Sequence, residues 1–172
     1  EHVLEFGALH VAIATGSVWR RDGVGRDSGF ALPGFDNDLV LTPDDIMAGR
    51  DPQAGPVIIW DDDHYCMGGI LAELCRYAGL DVTIVTPAAM VSAWTANTLE
   101  ALPIAKRMAR LEVEVLSYMS VTGISGDNVE LMSGLTGAKS ERAAGALVTI
   151  TARLPVDALY EQLRDRWREV GI

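Results

Sequence analysis

Three consecutive aspartates followed by a histidine, a tyrosine and a cysteine, Asp61-Asp62-Asp63-His64-Tyr65-Cys66, close the apolar run Val57-Ile58-Ile59-Trp60. Carboxylates two apart at the end of a buried strand can do phosphoryl chemistry. Asp61 would attack the phosphorus, Asp63 would exchange the proton, and a Mg²⁺ ion would sit between them. Asp61, Asp63 and His64 also read as a partial metal-ligand set, one that needs a further ligand the sequence does not name. A third reading follows from position. A turn between an apolar strand and a helix is where a nucleotide fold puts G-x-G-x-x-G, the glycines serving the tight bend, close approach to pyrophosphate and helix-on-strand packing. That spacing falls here on Asp61, Asp63 and Cys66, so all three glycines are absent. A carboxylate about 4 Å from a phosphate charge costs roughly 4 kcal/mol at an effective dielectric of 20. The expectation is a disabled phosphate loop, Asp61 to Cys66, whose carboxylates cap the helix N-terminus and replace the phosphate as the anion there.

The elements that must hold this turn follow from periodicity. Ala8 to Ala14 reads as a short buried strand, turning out at Thr15-Gly16-Ser17, and the glycine-rich stretch Trp19 to Asp38 reads as a loop. Thr42-Pro43-Asp44-Asp45 starts a short helix that ends near Gly49, with Thr42 as N-cap and Pro43 in the first helical position. Val57 to Trp60 and Val82 to Val85 are continuous apolar strands of the parallel kind. Between them Met67, Ile70, Leu71, Leu74 and Ala78 form one helical stripe, expected to face the core. A further helix covers about Thr98 to Glu112, with Ala101, Ile104, Met108 and Leu111 inward and Pro103 in its first turns. The period then becomes two. Glu114 to Ile124, Asn128 to Leu135 and Ala144 to Ala152 read as an antiparallel meander whose last member rejoins the sheet, with Thr136 to Glu141 as a connecting turn. Asp157 to Val170 reads as a terminal helix.

The totals exclude several classes. The chain has 172 residues, 24 acidic against 14 basic, for a net charge of −10, which repels phosphate backbones and anionic membranes. No apolar run reaches the roughly 20 residues of a membrane span and no signal peptide is visible, so the expected location is the cytoplasm. Cys66 and Cys75 fall on roughly opposite helix faces and are expected to remain reduced thiols. Two cysteines cannot ligate an iron–sulfur cluster. The chain opens on Glu1 rather than methionine, which suggests a fragment.

The order of elements, a strand ending ATGS, a crossover, β-α-β-α, a meander, then ALVTITARLP, resembles the pyridine-nucleotide domain inserted in two-dinucleotide-domain flavoproteins. Ala14-Thr15-Gly16-Ser17 matches the first seam of that insertion. Ala152-Arg153-Leu154-Pro155 matches the second, with Ala152 where the family has glycine. The segments WDDDHYCMGGILAEL, VTIVTPAAMVSAWTANTLE and TARLPVDALY narrow the match, across nearly the whole chain, to the trimethylamine, dimethylamine and histamine dehydrogenases of the NADH:flavin oxidoreductase group. The resemblance implies an α/β, three-layer Rossmann-like NAD(P)-binding-type domain. Its parallel sheet would carry helices on one side and a three-stranded antiparallel meander on the other. Residues 18–150 would be the inserted domain, and 1–17 with 151–172 pieces of an FAD-type domain. In the intact protein the resemblance implies an FMN barrel and a [4Fe-4S] cluster outside this chain. ADP or FAD would be bordered by Ala14, Thr15, Gly16 and Arg153. It also implies an oligomer, with the rest of the same polypeptide and an electron-transfer flavoprotein as partners. No cofactor is expected in this chain alone, and no catalytic or metal residue.

Other readings stay beside these. The D-x-D strand end resembles the opening motif of haloacid-dehalogenase-type phosphatases, but Tyr65 stands where that motif has Thr or Val, and no later strand ends in an acidic pair. A working NAD(P)H or ADP site is the other alternative. Tyr65, Trp94 and Trp60 could form a docking surface, although Trp60 ends a buried strand and fits the core better. Arg20-Arg21 reads as a solvated pair, and no Ser-His-Asp or Cys-His spacing stands out in the sequence.

Overall fold

A computed structural model describes residues 2–53 and 55–166. In chain order the elements are α1 (His2–Glu5), β1 (Ser17–Trp19), β2 (Val40–Leu41), α2 (Pro43–Met47), β3 (Val57–Asp61), α3 (Met67–Tyr77) and β4 (Val82–Thr86). They continue as α4 (Ala101–Arg110), β5 (Glu114–Ser117), β6 (Met119–Ser125), β7 (Asn128–Ser133), β8 (Lys139–Ala143), β9 (Ala146–Ile150), β10 (Arg153–Pro155) and α5 (Ala158–Leu163). The chain divides into two compact units, Trp19–Ala152 and the two flanking stretches Glu1–Val18 with Arg153–Ile172.

The larger unit is a five-stranded parallel sheet, order β2-β9-β3-β4-β5, with a separate antiparallel sheet β6-β7-β8. Side chains alternate across a strand, and both faces of this sheet are covered. Val57 and Ile59 of β3 pack with Leu71, Ala72 and Cys75 of α3 and Met108 of α4. Ile58 and Trp60 pack on the other side with Val121, Ile124, Val129 and Leu131 of the meander. Two covered faces explain why β3 and β9 are apolar without alternation and wholly buried. The fold is therefore the three-layer α/β arrangement expected, helices on one face and meander on the other.

Thr42 caps α2 as read from the sequence. Its hydroxyl accepts from Asp45 N and Asp45 reaches back to Thr42 N, a reciprocal box with Pro43 in the first turn. In α3 the expected core stripe is turned. Ile70 and Leu74 are 52% and 48% exposed, and the buried positions are Gly68, Gly69, Leu71, Ala72 and Cys75. Counting i, i+3, i+4, i+7 from Gly68 instead of Met67 rotates the inward face by about 100°. Small residues at 68, 69 and 72 bring the helix close to the sheet, and close packing outweighs the larger apolar area of the rival stripe. Ile70→Ser should consequently cost less than about 1 kcal/mol in urea denaturation, where a core isoleucine would lose several.

Other boundaries differ from the sequence reading for identifiable reasons. Ala8 to Ala14 forms no strand and none of it is buried. An apolar run becomes a strand only where a neighbour supplies its hydrogen bonds, and in that unit β10 pairs with Ser17–Trp19 instead. The helix expected from Thr98 begins at Ala101, after a 3₁₀ turn Ala93–Thr98 closed by Leu99 in the left-handed region. Ala101 and Met108 are buried as expected, while Ile104 and Leu111 are half-buried. Glu114 to Ile124 is two strands in two sheets, broken at Tyr118, which has φ 56° and donates its N–H to Ala88 O. The turn expected over Thr136 to Glu141 contains the start of β8, an almost wholly exposed edge strand whose KSERA sequence lacks apolar alternation. Within Ala144 to Ala152, β9 is the inner strand between β2 and β3. Strand β2, two residues long, gave no period to read. The terminal helix is α5 followed by a 3₁₀ turn Arg164–Arg166, and the remainder of the expected span lies outside the described residues.

Candidate functional site

The aspartates sit at the carboxyl end of β3, the end of a parallel sheet at which α/β proteins bind ligands. Asp61, Asp62, Asp63 and His64 are all buried, at 0%, 0%, 7% and 8% exposure. Strand alternation sends Asp61 to the helix face and Asp62 to the meander face. Asp61 lies against the first turn of α3: a Cβ on Gly68 would stand 2.8 Å from its carboxyl carbon. It accepts from His64 N at 3.1 Å and from Ser92 N at 3.4 Å. Asp62 accepts through Oδ2 from Arg26 N at 2.5 Å and Asp27 N at 3.1 Å. Each carboxylate thus fastens a loop of the same unit across the strand end, 91–95 by Asp61 and 24–28 by Asp62. Trp94 N donates to His64 O, and Ala152 N to Val24 O, which closes the arrangement.

These bonds correct the expectation that the carboxylates cap α3. The N-cap is Cys66, without a side-chain cap bond, and the described contacts of Asp61 and Asp62 go to loop N–H groups. Their charge is also smaller than three adjacent aspartates suggest. Burial pushes Asp61 up to about 7 against the pull of the His64 and Ser92 N–H groups, with Asp63 and Asp62 adding repulsion. Burial also raises Asp62, opposed by the Asp27 and Arg26 N–H groups, and lowers the His64 imidazole, opposed by Asp62. The His64 Nε2 to Asp62 Oδ1 contact, 3.8 Å, therefore joins two groups whose charged forms burial disfavours. His64 has φ 64°, and its Nδ1 is 3.5 Å from Thr86 Oγ1.

Outside the buried cluster, Trp94 is 40% exposed and Tyr65 45%. The Arg26 guanidinium lies 4.1 Å from the Trp94 ring centre, the Tyr65 ring is edge-on at 5.5 Å and the His64 ring is at 5.9 Å. Trp60 is fully buried, edge-on to Phe35 at 6.0 Å, and belongs to the core rather than to a surface. Cys66 is exposed, Cys75 buried, and both are free thiols.

Among the described residues no group of three or more His, Cys, Asp or Glu side chains could hold a metal ion, so Asp61, Asp63 and His64 do not converge as ligands. The turn does not fit a pyrophosphate either. Its carboxylates are buried under loops 24–28 and 91–95, and Asp61 fills the space against Gly68 where a helix would approach bare strand. The two cysteines do not fit a [4Fe-4S] cluster. The seam residues do come together in the smaller unit: Val156 N donates to Gly16 O at 3.0 Å, the Thr15 hydroxyl donates to Val156 O, and β1 pairs with β10. Gly16 has φ 76°, and Ala14, Thr15, Gly16 and Arg153 are exposed. The sequence reading missed Ser92, Gly25, Arg26 and Gly68. Of these only Gly68-Gly69 carried a signal, a glycine pair at a helix start where close approach needs it. A cleft of about 670 Å³ lined by Asp38, Arg50, Gly55 and Gly145 lies at the opposite, amino-terminal end of β9, away from these groups.

No described helix is long and apolar enough to cross a membrane. Residues 41–151 match the model of the OYE-like second alpha/beta domain family. The chain is 30% identical over 195 aligned residues to dimethylamine dehydrogenase from Hyphomicrobium sp. (strain x), covering 100% of this chain and 26% of that protein. The structure of histamine dehydrogenase from Rhizobium sp. 4-9 superposes with a TM-score of 0.91 at 42% identity, over 97% of this chain and 25% of that one. That of 6-hydroxypseudooxynicotine amine oxidase from Pseudomonas geniculata N1 gives 0.91 at 40% identity, over 95% and 24%. The chain thus spans about a quarter of the length of these relatives. The chain belongs to the OYE-like second alpha/beta domain family, in the group of the dimethylamine and histamine dehydrogenases.

Proposed function

We propose that this chain is the nucleotide-domain-like module of an amine-dehydrogenase-type flavoprotein oxidoreductase, and that its dinucleotide crevice is permanently closed by its own loops. Its role in the intact enzyme is structural, with the exposed Tyr65, Trp94 and Arg26 cluster as the surface on which an electron-transfer flavoprotein docks. The observation that carries the reading is the use of the aspartate oxygens: Asp61 and Asp62 bind Ser92, His64, Arg26 and Asp27 N–H groups of the same chain. By resemblance the intact enzyme carries FMN, a [4Fe-4S] cluster and ADP or FAD outside this module. The adenosine end of ADP or FAD would border Ala14, Thr15, Gly16 and Arg153. The smaller unit is then part of the FAD-type domain, and the intact enzyme is an oligomer in the cytoplasm. Here the domain supplies shape and a surface, not a redox centre.

Calorimetric titration of the 172-residue chain with NADH and with ADP tests the closed crevice. Neither should bind with a Kd tighter than about 1 mM, equivalent to about −4 kcal/mol. Micromolar NADH binding abolished by Trp94→Ala would sink the reading, because it would mean that the loops open for the nucleotide.

A further inference from the structure

Four buried polar atoms at the carboxyl ends of β3 and β9 have no hydrogen-bond partner among the described residues: Trp60 Nε1, Asp62 Oδ1, Thr149 Oγ1 and Thr151 Oγ1. They are not scattered. Trp60 is the register partner of Thr149, and Asp61 that of Ile150, so Asp62 and Thr151 occupy the next row. Ile58 and Trp60 of β3 and Leu147 of β9 face the meander, which places all four residues on that one face of the sheet. Adjacent strands are about 4.8 Å apart and alternate residues about 6.6 Å along a strand. The four residues therefore form a two-by-two array, its side chains 0 to 3% exposed. Gly25 roofs the second row. A Cβ built there would lie 2.1 Å from Asp62 Oδ2 and 3.0 Å from Thr151 Cβ, which fixes the carboxyl and the threonine within about 5 Å of each other.

We infer that this array is a binding site for ordered internal water, seated between the parallel sheet and the loop that closes the crevice. The donor set identifies the ligand. The indole N–H only donates and the free Asp62 carboxyl oxygen accepts, while the two hydroxyls do either. A cation would oppose the indole N–H, and the array offers a single carboxylate. An anion would oppose Asp62. A small neutral molecule that donates and accepts satisfies all four, and water does so with two to four bonds per molecule. The fully buried Trp60 and Thr149 would each otherwise leave a polar atom desolvated in an apolar layer, which proteins seldom tolerate. The site also explains how the 24–28 loop is joined to the core: Asp62 holds the loop N–H groups with one oxygen and the water with the other.

The decisive substitution is Thr149→Val, equal in shape but without the hydroxyl. If water bridges Thr149 and Trp60, the valine removes a partner of that water, and the folding equilibrium constant from urea denaturation falls about tenfold. If the hydroxyl is unpaired, the valine relieves its burial and the constant is unchanged or higher, which overturns the site. A second measurement needs no variant stability. In the water-exchange NMR spectrum of the 18.5 kDa chain the Trp60 indole N–H, assigned by its loss in Trp60→Phe, should show a direct cross-relaxation peak with long-lived water. Absence of that peak overturns the inference equally.

Discussion

Asp61→Asn raises the stability of this domain at pH 8 by about 2 to 4 kcal/mol, an increase in Tm of roughly 10 °C. The Asp61 carboxyl titrates near 7 in the folded chain, mainly because burial disfavours its charge, against 3.8 as the ordinary value. Below about pH 4 it is protonated both folded and unfolded, and it has no effect on the equilibrium. Between pH 4 and 7 the unfolded chain releases the proton while the folded chain keeps it, so stability falls as pH rises. Above pH 7 the folded chain carries the buried charge and the loss is complete. Asparagine removes the titration and keeps one oxygen, at the Oδ1 position, to accept from His64 N; its NH2 replaces Oδ2, so the longer Ser92 N contact, 3.4 Å, is lost at a cost of about 1 kcal/mol. The variant should therefore lie about 1 kcal/mol below wild type at pH 4 in urea denaturation, cross it as the pH rises and stand above it by pH 8. Asp62 is also raised by burial and gives a slope of the same sign in both proteins, so the difference curve isolates Asp61. A gap of constant size from pH 4 to 8, or an asparagine variant less stable at pH 8, would show that Asp61 holds loop 91–95 as an ordinary exposed carboxylate does.

The layers were legible because period and composition report burial directly. The runs at Val57 and Val82 were apolar without alternation, and only a sheet covered on both faces requires that of β3 and β4. Thr42-Pro43-Asp44-Asp45 was legible because a capping box is local chemistry, complete within four residues. What failed was non-local. The apolar residues of α3 fit two faces, and the choice between them depends on Asp61, which lies outside the helix and under Gly68. Strand β8 has no apolar period because its residues are exposed, apart from a half-buried Arg142, and its existence rests on pairing with β7. At the site, position and glycine loss were readable from spacing. The partners of the carboxylates were not, since Arg26, Asp27 and Ser92 are about 30 residues away and donate backbone N–H groups that any residue type has. Adjacent aspartates also suggested a concentrated negative charge, whereas burial holds Asp61 half-protonated at neutral pH.

Gly68→Ala should reverse sign with the residue at position 61. In the wild-type chain an alanine Cβ would stand 2.8 Å from Asp61 Cγ and Oδ2 and 3.0 Å from its Cβ, and the carboxyl cannot swing away without releasing the His64 and Ser92 N–H groups. Overpacking of this kind costs about 1 to 3 kcal/mol, and orphaning a buried hydrogen-bonded carboxyl adds to it. Replacing a helical glycine returns about 1 kcal/mol of backbone entropy. The net expectation is a loss of about 2 kcal/mol. In an Asp61→Gly background all three of those atoms are gone and only the propensity gain remains, so the same Gly68→Ala substitution stabilises by about 1 kcal/mol. The double-mutant cycle then gives a coupling of about 3 kcal/mol between two positions that a helix-and-turn reading treats as independent. This coupling is the physical residue of the nucleotide motif. The close helix-on-strand packing that the motif's third glycine serves has moved two positions on, to Gly68, and the group it lets in is the chain's own carboxyl rather than a ligand's phosphate. If Gly68→Ala is equally costly with glycine at 61, the glycine at 68 answers to the backbone of β3 and not to Asp61. The account of how this turn was closed would then have to begin from the strand.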